Sequence, residues 1–283
     1  MELDISQRFI FDNTDIRGEL VRCTDSFEQL IQNHDYPEVA KNLLGEFLVA
    51  TVLLSTTMKF EGRLSLQASS KGEIPFIIME CDSNREVRGI AQVRDNFIQG
   101  DFNALLAQGT LAITIEPTNG KPYQGIVPLE GKNLAECLSQ YFIQSEQLPT
   151  HFNFAIGTDK GRQTAAAMIL QQMPMHKISD TDTRAENWNR LTQLANTLTD
   201  EELLSVEYET LLYRLYHQDP LKIFNPKIVQ YRCTCSRKRT QEALRTIDRN
   251  ELKAILKEEG AVTLNCQFCH KEYSFNADDI ANL

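Results

Sequence analysis

The pattern of apolar and polar positions divides this chain into three regions. Up to about residue 175, short alternating or β-rich stretches such as "RLSLQAS", "IPFIIME", "EVRGIAQV" and "LAITIEP" read as strands. They are separated by turn signals that include "TNGKP" and "LEGKN". Segments of helical period sit between them: "DSFEQLIQ", "NLAECLSQYFIQ" and "YPEVAKNLLGEFLVATVLL", the last with Val39, Leu43, Leu44, Phe47 and Leu48 on one face. Strands and helices do not alternate one for one. The fold class expected is therefore α+β, with a larger N-terminal α+β domain over 1–178 built on a β-sheet core.

From 179 to 219 the period is helical throughout. Ser179 and Asp180 offer an N-cap. Trp188, Leu191, Leu194, Ala195 and Leu198 form a stripe, and "TDEELL" opens a second helix with acids in its first turn. Helices this short are marginal in water without a packing partner. A helical connector that leans on its neighbours and melts easily is the expectation. In the third region, 220–283, "TQEALRTIDRNELKAILKEEG" reads as two short helices closing at Gly260, and "AVTLN" as a strand.

Composition narrows the class only slightly. Hydrophobic and charged fractions of 42% and 24% are those of an ordinary soluble protein, and 283 residues suffice for one large or two to three smaller domains. The start "MELDISQRFIFDNTD" has acids where a signal peptide has a basic stretch. The longest apolar run, "FLVATVLL", is far short of the roughly 18 residues needed to cross a bilayer. A cytoplasmic location with no membrane partner is expected.

Charge bears on partners. The net charge is −10, yet from Lys227 onward ten basic side chains face eight acidic ones, so the acidity resides in the body. Such a body repels phosphate backbones, which argues against nucleic acid as a partner. The run Arg237, Lys238, Arg239 reads as a solvated first turn of a helix, as a minor phosphate contact, or as a positive field that favours nearby thiolates.

The cysteines carry the chemistry. Four of seven lie in the tail as Cys233-x-Cys235 and Cys266-x-x-Cys269. Two close thiol pairs brought together by a hairpin are what a tetrahedral zinc site needs, and a tail this short barely holds without metal. His270 could compete as a ligand, but four thiolates already complete the shell. Cys23, Cys81 and Cys137 stand alone and read as buried, inert thiols; His34, His151, His176 and His217 show no ligand spacing. Each pair can also close a disulfide on itself, because its Cα separation can fall within about 4.4 to 6.8 Å. Zinc and disulfides need the same sulfurs and exclude each other.

This cysteine pattern, with "YPEVAKNLLGEFLVATVLLSTTMKFEGRLSLQ", "YQGIVPLEG" and "RAENWNRLTQLANTLTDEELL", resembles the heat-shock protein 33 family across essentially the whole chain. Members are redox-regulated holdase chaperones of bacteria. The resemblance implies that Cys233, Cys235, Cys266 and Cys269 hold one Zn2+ per chain when reduced. On oxidation it pairs Cys233 with Cys235 and Cys266 with Cys269. It further implies that the connector bearing Trp188, Leu191, Leu194 and Leu198 then unfolds, and that the 1–178 core captures unfolding client proteins without ATP, as a homodimer. No nucleophile, base and orienter group by motif, so no enzyme is expected. Neither a Gly-x-x-x-x-Gly-Lys loop nor a dinucleotide fingerprint occurs, so no nucleotide is expected either. Two rivals remain: a thiol-disulfide oxidoreductase, for which Cys266-Gln267-Phe268-Cys269 lacks a βαβ setting, and a zinc-ribbon nucleic-acid adaptor, disfavoured by charge.

Overall fold

The structure, a computed structural model, describes residues 4–57 and 61–282. The chain forms two compact units that meet between Tyr231 and Arg232. In chain order the first unit begins with β1 (Ile5–Phe11), β2 (Ile16–Cys23), α1 (Asp25–Ile31), α2 (Glu38–Thr57), β3 (Gly62–Ser69), β4 (Phe76–Asp82) and β5 (Glu86–Gln92). It continues through α3 (Phe102–Leu105), β6 (Thr110–Pro117), β7 (Tyr123–Pro128), α4 (Leu134–Gln144), β8 (Thr150–Asp159) and β9 (Arg162–Gln172). Helices α5 (Thr181–Ala195), α6 (Asp200–Ser205) and α7 (Tyr208–Tyr216) follow, then the short strands β10 (Leu221–Ile223), β11 (Lys227–Ile228) and β12 (Gln230–Tyr231).

Two sheets carry this α+β unit. The first has the order β10-β1-β2-β9-β8, with β11 also on β1; the second runs β12-β5-β4-β3-β6-β7. Every pairing is antiparallel except β12 on β5. Helix α2 packs against strands of both sheets. That position explains its composition. The sequence marks one apolar face, but Phe47, Leu48, Val49, Ala50, Val52, Leu53 and Leu54 are all fully buried, as a helix enclosed on all sides requires. By length and composition Glu38–Thr56 could cross a membrane, which the shorter apolar run did not suggest; 72% of it is buried inside the protein.

Strand β9 is buried on both faces, and alternation sorts its side chains. Ala165, Ala167 and Ile169 join the cluster around α2, while Ala166, Met168 and Leu170 join a second cluster with Leu191, Leu203, Leu211 and Tyr216. Helices α5 to α7 therefore cover the outer face of the first sheet. Residues 221–231 complete sheet edges of this unit, beside β1 and β5.

The second unit contains α8 (Arg237–Leu244), α9 (Arg249–Glu259), the hairpin β13 (Val262–Asn265) and β14 (Glu272–Phe275), and α10 (Ala277–Ala281). Helix α9 ends at Gly260, whose φ of 78° is the left-handed conformation a C-cap glycine adopts. Its core, among the described residues, is six buried side chains: Leu244, Leu252, Val262, Tyr273, Phe275 and Ile280.

Candidate metal centre and connector

Two short backbone devices bring the four tail thiols together. Cys233 and Cys235 precede α8, whose N-cap Ser236 accepts from the Arg239 amide and turns the chain into the helix. Cys266 and Cys269 sit in the turn between β13 and β14. The Cys266 amide donates to the Lys271 carbonyl (2.9 Å), the His270 amide donates to the Cys266 carbonyl (2.8 Å), and His270 takes φ of 56° to close the turn. Across the pairs, Cys233 Sγ lies 3.7 Å from Cys266 Sγ and Cys235 Sγ lies 3.5 Å from Cys269 Sγ. All four sulfurs are within 4.8 Å of one another.

These distances suit one tetrahedral ion. Zinc–sulfur bonds of about 2.3 Å place the four sulfurs about 3.8 Å apart. His270 is exposed and outside the cluster. Electrostatics favour a cation as well. Burial, with the neighbouring thiols, pushes Cys233 and Cys269 up, whereas at Cys235 hydrogen bonds from the Tyr273 hydroxyl (3.2 Å) and the other thiols outweigh burial and lower it. Its surroundings thus favour the thiolate at Cys235 and disfavour it at Cys233 and Cys269. The basic run forms the first turn of α8. Arg237 stacks over Phe275 at 4.4 Å and pairs with Asp279 at 2.7 Å, and Arg239 bonds Thr234.

The other cysteines differ sharply. Cys23, Cys81 and Cys137 are buried, and desolvation raises all three, Cys81 to about 12. No histidine belongs to a metal-ligand cluster among the described residues.

The stripe from 188 to 198 lies on the first sheet. Leu191 and Ala195 are fully buried, while Trp188, Leu194 and Leu198 are half-buried against the same cluster. Asp180 supplies the α5 N-cap, accepting from the Thr183 amide, and α6 opens with a Thr199–Glu202 capping box. Sequence reading named none of the anchors on α7, although Tyr208, Leu211, Leu212 and Tyr216 repeat at helical spacing and are buried. Tyr216 donates its hydroxyl proton to the Leu191 carbonyl (3.3 Å), tying α7 to α5. The buried Arg184–Asp15 pair was also illegible, because its partners are 169 residues apart. Burial opposes the Asp15 charge, but three backbone amides and Arg184 outweigh it and hold the carboxyl below its usual range.

Comparison with known proteins agrees with this architecture. A family model described as Hsp33 protein matches residues 4–276. A 33 kDa chaperonin of Pseudomonas aeruginosa (strain UCBPP-PA14) is 46% identical over 283 aligned residues, 99% of this chain and 94% of that protein. Another, from Azotobacter vinelandii, is 46% identical and spans 100% of this chain and 95% of its own. The crystal structure of a 33 kDa chaperonin from Thermotoga maritima shares the fold, with a TM-score of 0.82 at 22% identity over 99% of this chain and 97% of that one. With a family model spanning nearly every residue and relatives of this identity along the full length, the chain belongs to the Hsp33 family of chaperones.

Proposed function

We propose that the protein is a redox-controlled, ATP-independent holdase, silent while its tail cysteines are reduced and hold one Zn2+, and active once they are oxidised. The observation that carries this reading is the convergence of Cys233, Cys235, Cys266 and Cys269 in a unit with only six buried apolar side chains among the described residues. Zinc, when bound, supplies the divalent charge that lets four thiolates coexist and cross-ties the unit. Peroxide takes two electrons from each thiolate pair and two protons from solvent, giving one S–S bond and two waters per peroxide. Sulfurs consumed in this way no longer cross-tie the unit.

Pairing is Cys233 with Cys235 and Cys266 with Cys269. The hydrogen-bond-range contacts of the reduced form run across the pairs, so proximity does not select this pattern. Ring size does, because closure entropy grows as roughly 1.5R ln n. The redox switch lies within residues 220–283, in the unit that begins at Arg232, with 179–219 as the labile connector and 1–178 as the client-binding core. Release of the connector uncovers the apolar outer face of the first sheet, which includes Phe9, Phe11, Leu20 and Met168. A broad apolar face suits unfolding polypeptides of any sequence. The active form is a cytoplasmic homodimer that needs no nucleotide.

Reduced and peroxide-treated protein, compared for zinc per chain, disulfide map and suppression of client aggregation, test this reading. One zinc lost with a gain in suppression is expected. Nitrogen from His270 in the metal shell, crossed disulfides, or equal suppression by both forms overturns it. Turnover of a disulfide substrate would point instead to an oxidoreductase, and retention on nucleic acid to an adaptor.

A further inference from the structure

The first unit holds a convergence of charge of its own. Where the chain passes from β10 to β11, a cleft of about 140 Å3 opens against β1 and the β4–β5 turn. Strand alternation puts Ser6 and Arg8 on one face of β1. The register sets Lys227 opposite Ser6 and Glu19 opposite Arg8, so all four share that face. Arg85 reaches in from the turn, and its Nε donates to Ser6 Oγ (3.0 Å). Asn225 lines the cleft from the 224–227 loop. That loop is fixed at Phe224, whose amide donates to the Arg8 carbonyl (2.9 Å) and whose carbonyl accepts from Gln7 Nε2 (3.0 Å).

Three cations of this lining stand against one carboxylate. Glu19 is already engaged: Arg8 Nε lies 3.5 Å from its Oε2, which also accepts from the Thr56 hydroxyl (2.6 Å). Arg8 is engaged in turn, donating to the Thr56 carbonyl at the end of α2. Arg85 and Lys227 are not. Among the described residues neither forms an ion pair, and Arg85 Nη1 and Nη2, Lys227 Nζ and the Asn225 side-chain amide make no hydrogen bond. Free donors around one cleft, two of them on cations, are the chemistry that recognises a small oxyanion, with the guanidinium able to offer two parallel bonds. A long polyanion meets the acidic body as a whole, whereas a single small anion meets chiefly the charges within a screening length of about 8 Å.

The backbone agrees. Arg85 takes φ of 62°, a left-handed conformation that glycine or asparagine adopts most readily. Asp82 holds this turn by accepting from the Asn84 and Glu86 amides (both 2.9 Å), so the turn itself needs no arginine. The segment that closes the cleft is lightly held. Strands β11 and β12 are two residues each, and from 224 to 231 only Val229 is buried. We propose that the cleft is a site for a phosphate group, free or as a monoester, and that the bound anion clamps residues 224–231 to β1 and the β4–β5 turn by joining Lys227 and Asn225 to Arg85.

The test needs neither client, metal release nor oxidation. Full-length reduced protein is titrated with inorganic phosphate, and separately with phenyl phosphate, against chloride at constant ionic strength, with amide chemical shifts as the readout. Phosphate but not chloride should give saturable shifts confined to residues 6–8, 85–86 and 224–228. Equal binding of phenyl phosphate extends the site to monoesters, and its failure to bind restricts the site to the free ion. Lys227→Gln and Arg85→Asn should each weaken phosphate binding about tenfold or more, as loss of a charge-assisted hydrogen bond does. Lys227 is exposed and asparagine suits the turn, and unchanged α2 amide shifts check that both variants fold. Saturating phosphate should also slow hydrogen exchange of the Val229 and Gln230 amides, which donate to the Asp4 and Arg85 carbonyls, and leave α4 unchanged. No saturable binding, binding that both variants leave unaltered, or binding without that added protection overturns the proposal.

Discussion

The first sheet is covered on both faces, and the two covers differ in what lies behind them. Its inner face packs on α2, which a second sheet clamps from behind; forty buried residues form that cluster. Its outer face packs on α5 to α7, whose far sides face solvent, and half of the sixteen buried residues in that cluster come from the connector itself. Removing α2 would dismantle the unit. On the proposed reading, loosening the connector leaves both sheets and α2 standing. Equal burial per residue thus says little about which element can leave; what matters is whether anything lies behind it. The tail unit is the limiting case, since among the described residues only six apolar side chains are buried in it, and a core of that size barely holds alone.

The largest effect should come from the tail. Chelating the bound metal removes apparent binding energy of roughly 10 to 16 kcal/mol, and Cys269→Ser removes one of the four sulfurs that hold it. Amide protection over α8, α9 and the β13–β14 hairpin should vanish while that of α2 and β3 to β6 persists. Loss of protection in both would show that the body depends on the tail, and the contrast would fail.

Next in size is Leu191→Asp. This side chain is fully buried, so an unpaired carboxylate there should cost about 3–5 kcal/mol, localised to the connector. Trp188 fluorescence should shift to the red, and reduced, zinc-loaded protein should suppress aggregation at least in part. A melted connector with no gain in suppression would place the client surface elsewhere. The milder pair Leu191→Ala and Leu48→Ala sharpens the point. Each removes a fully buried leucine for about 2–5 kcal/mol, but the first should speed exchange only in α5 to α7 and the second throughout the unit.

What the sequence reveals follows the same contrast. Strands β3 to β6 alternate in period, and their segments are readable within a residue or two. The four tail cysteines were legible because ligand spacing is local. Strand β9 hides its role: "TAAAMIL" alternates between two apolar environments, so neither face shows a polar signal. Helix α2 reads as one-faced for the same reason in reverse, since its second sheet is assembled from distant residues.

Tyr273→Phe should have the smallest effect, and it tests whether the tail is held by more than its ligands. Tyr273 sits on β14, directly opposite Leu264, and is one of the six core side chains. Its ring contributes apolar area, and its hydroxyl donates to Cys235 Sγ at 3.2 Å. Phenylalanine keeps the ring and removes only the donor. Loss of a hydrogen bond of this kind to a ligand atom typically lowers metal affinity about 10- to 100-fold, equivalent to about 1.4–2.7 kcal/mol. Competition with a chromophoric chelator should register that loss, and the metal-saturated variant should keep the β13–β14 hairpin intact. Without the hydroxyl, Cys235 loses its donor and its thiolate becomes the more exposed nucleophile, so peroxide should release metal faster from the variant than from the wild type. Unchanged affinity and release rate would mean that Tyr273 serves the core alone, and that the tail depends on its four sulfurs without help from the strand beside them.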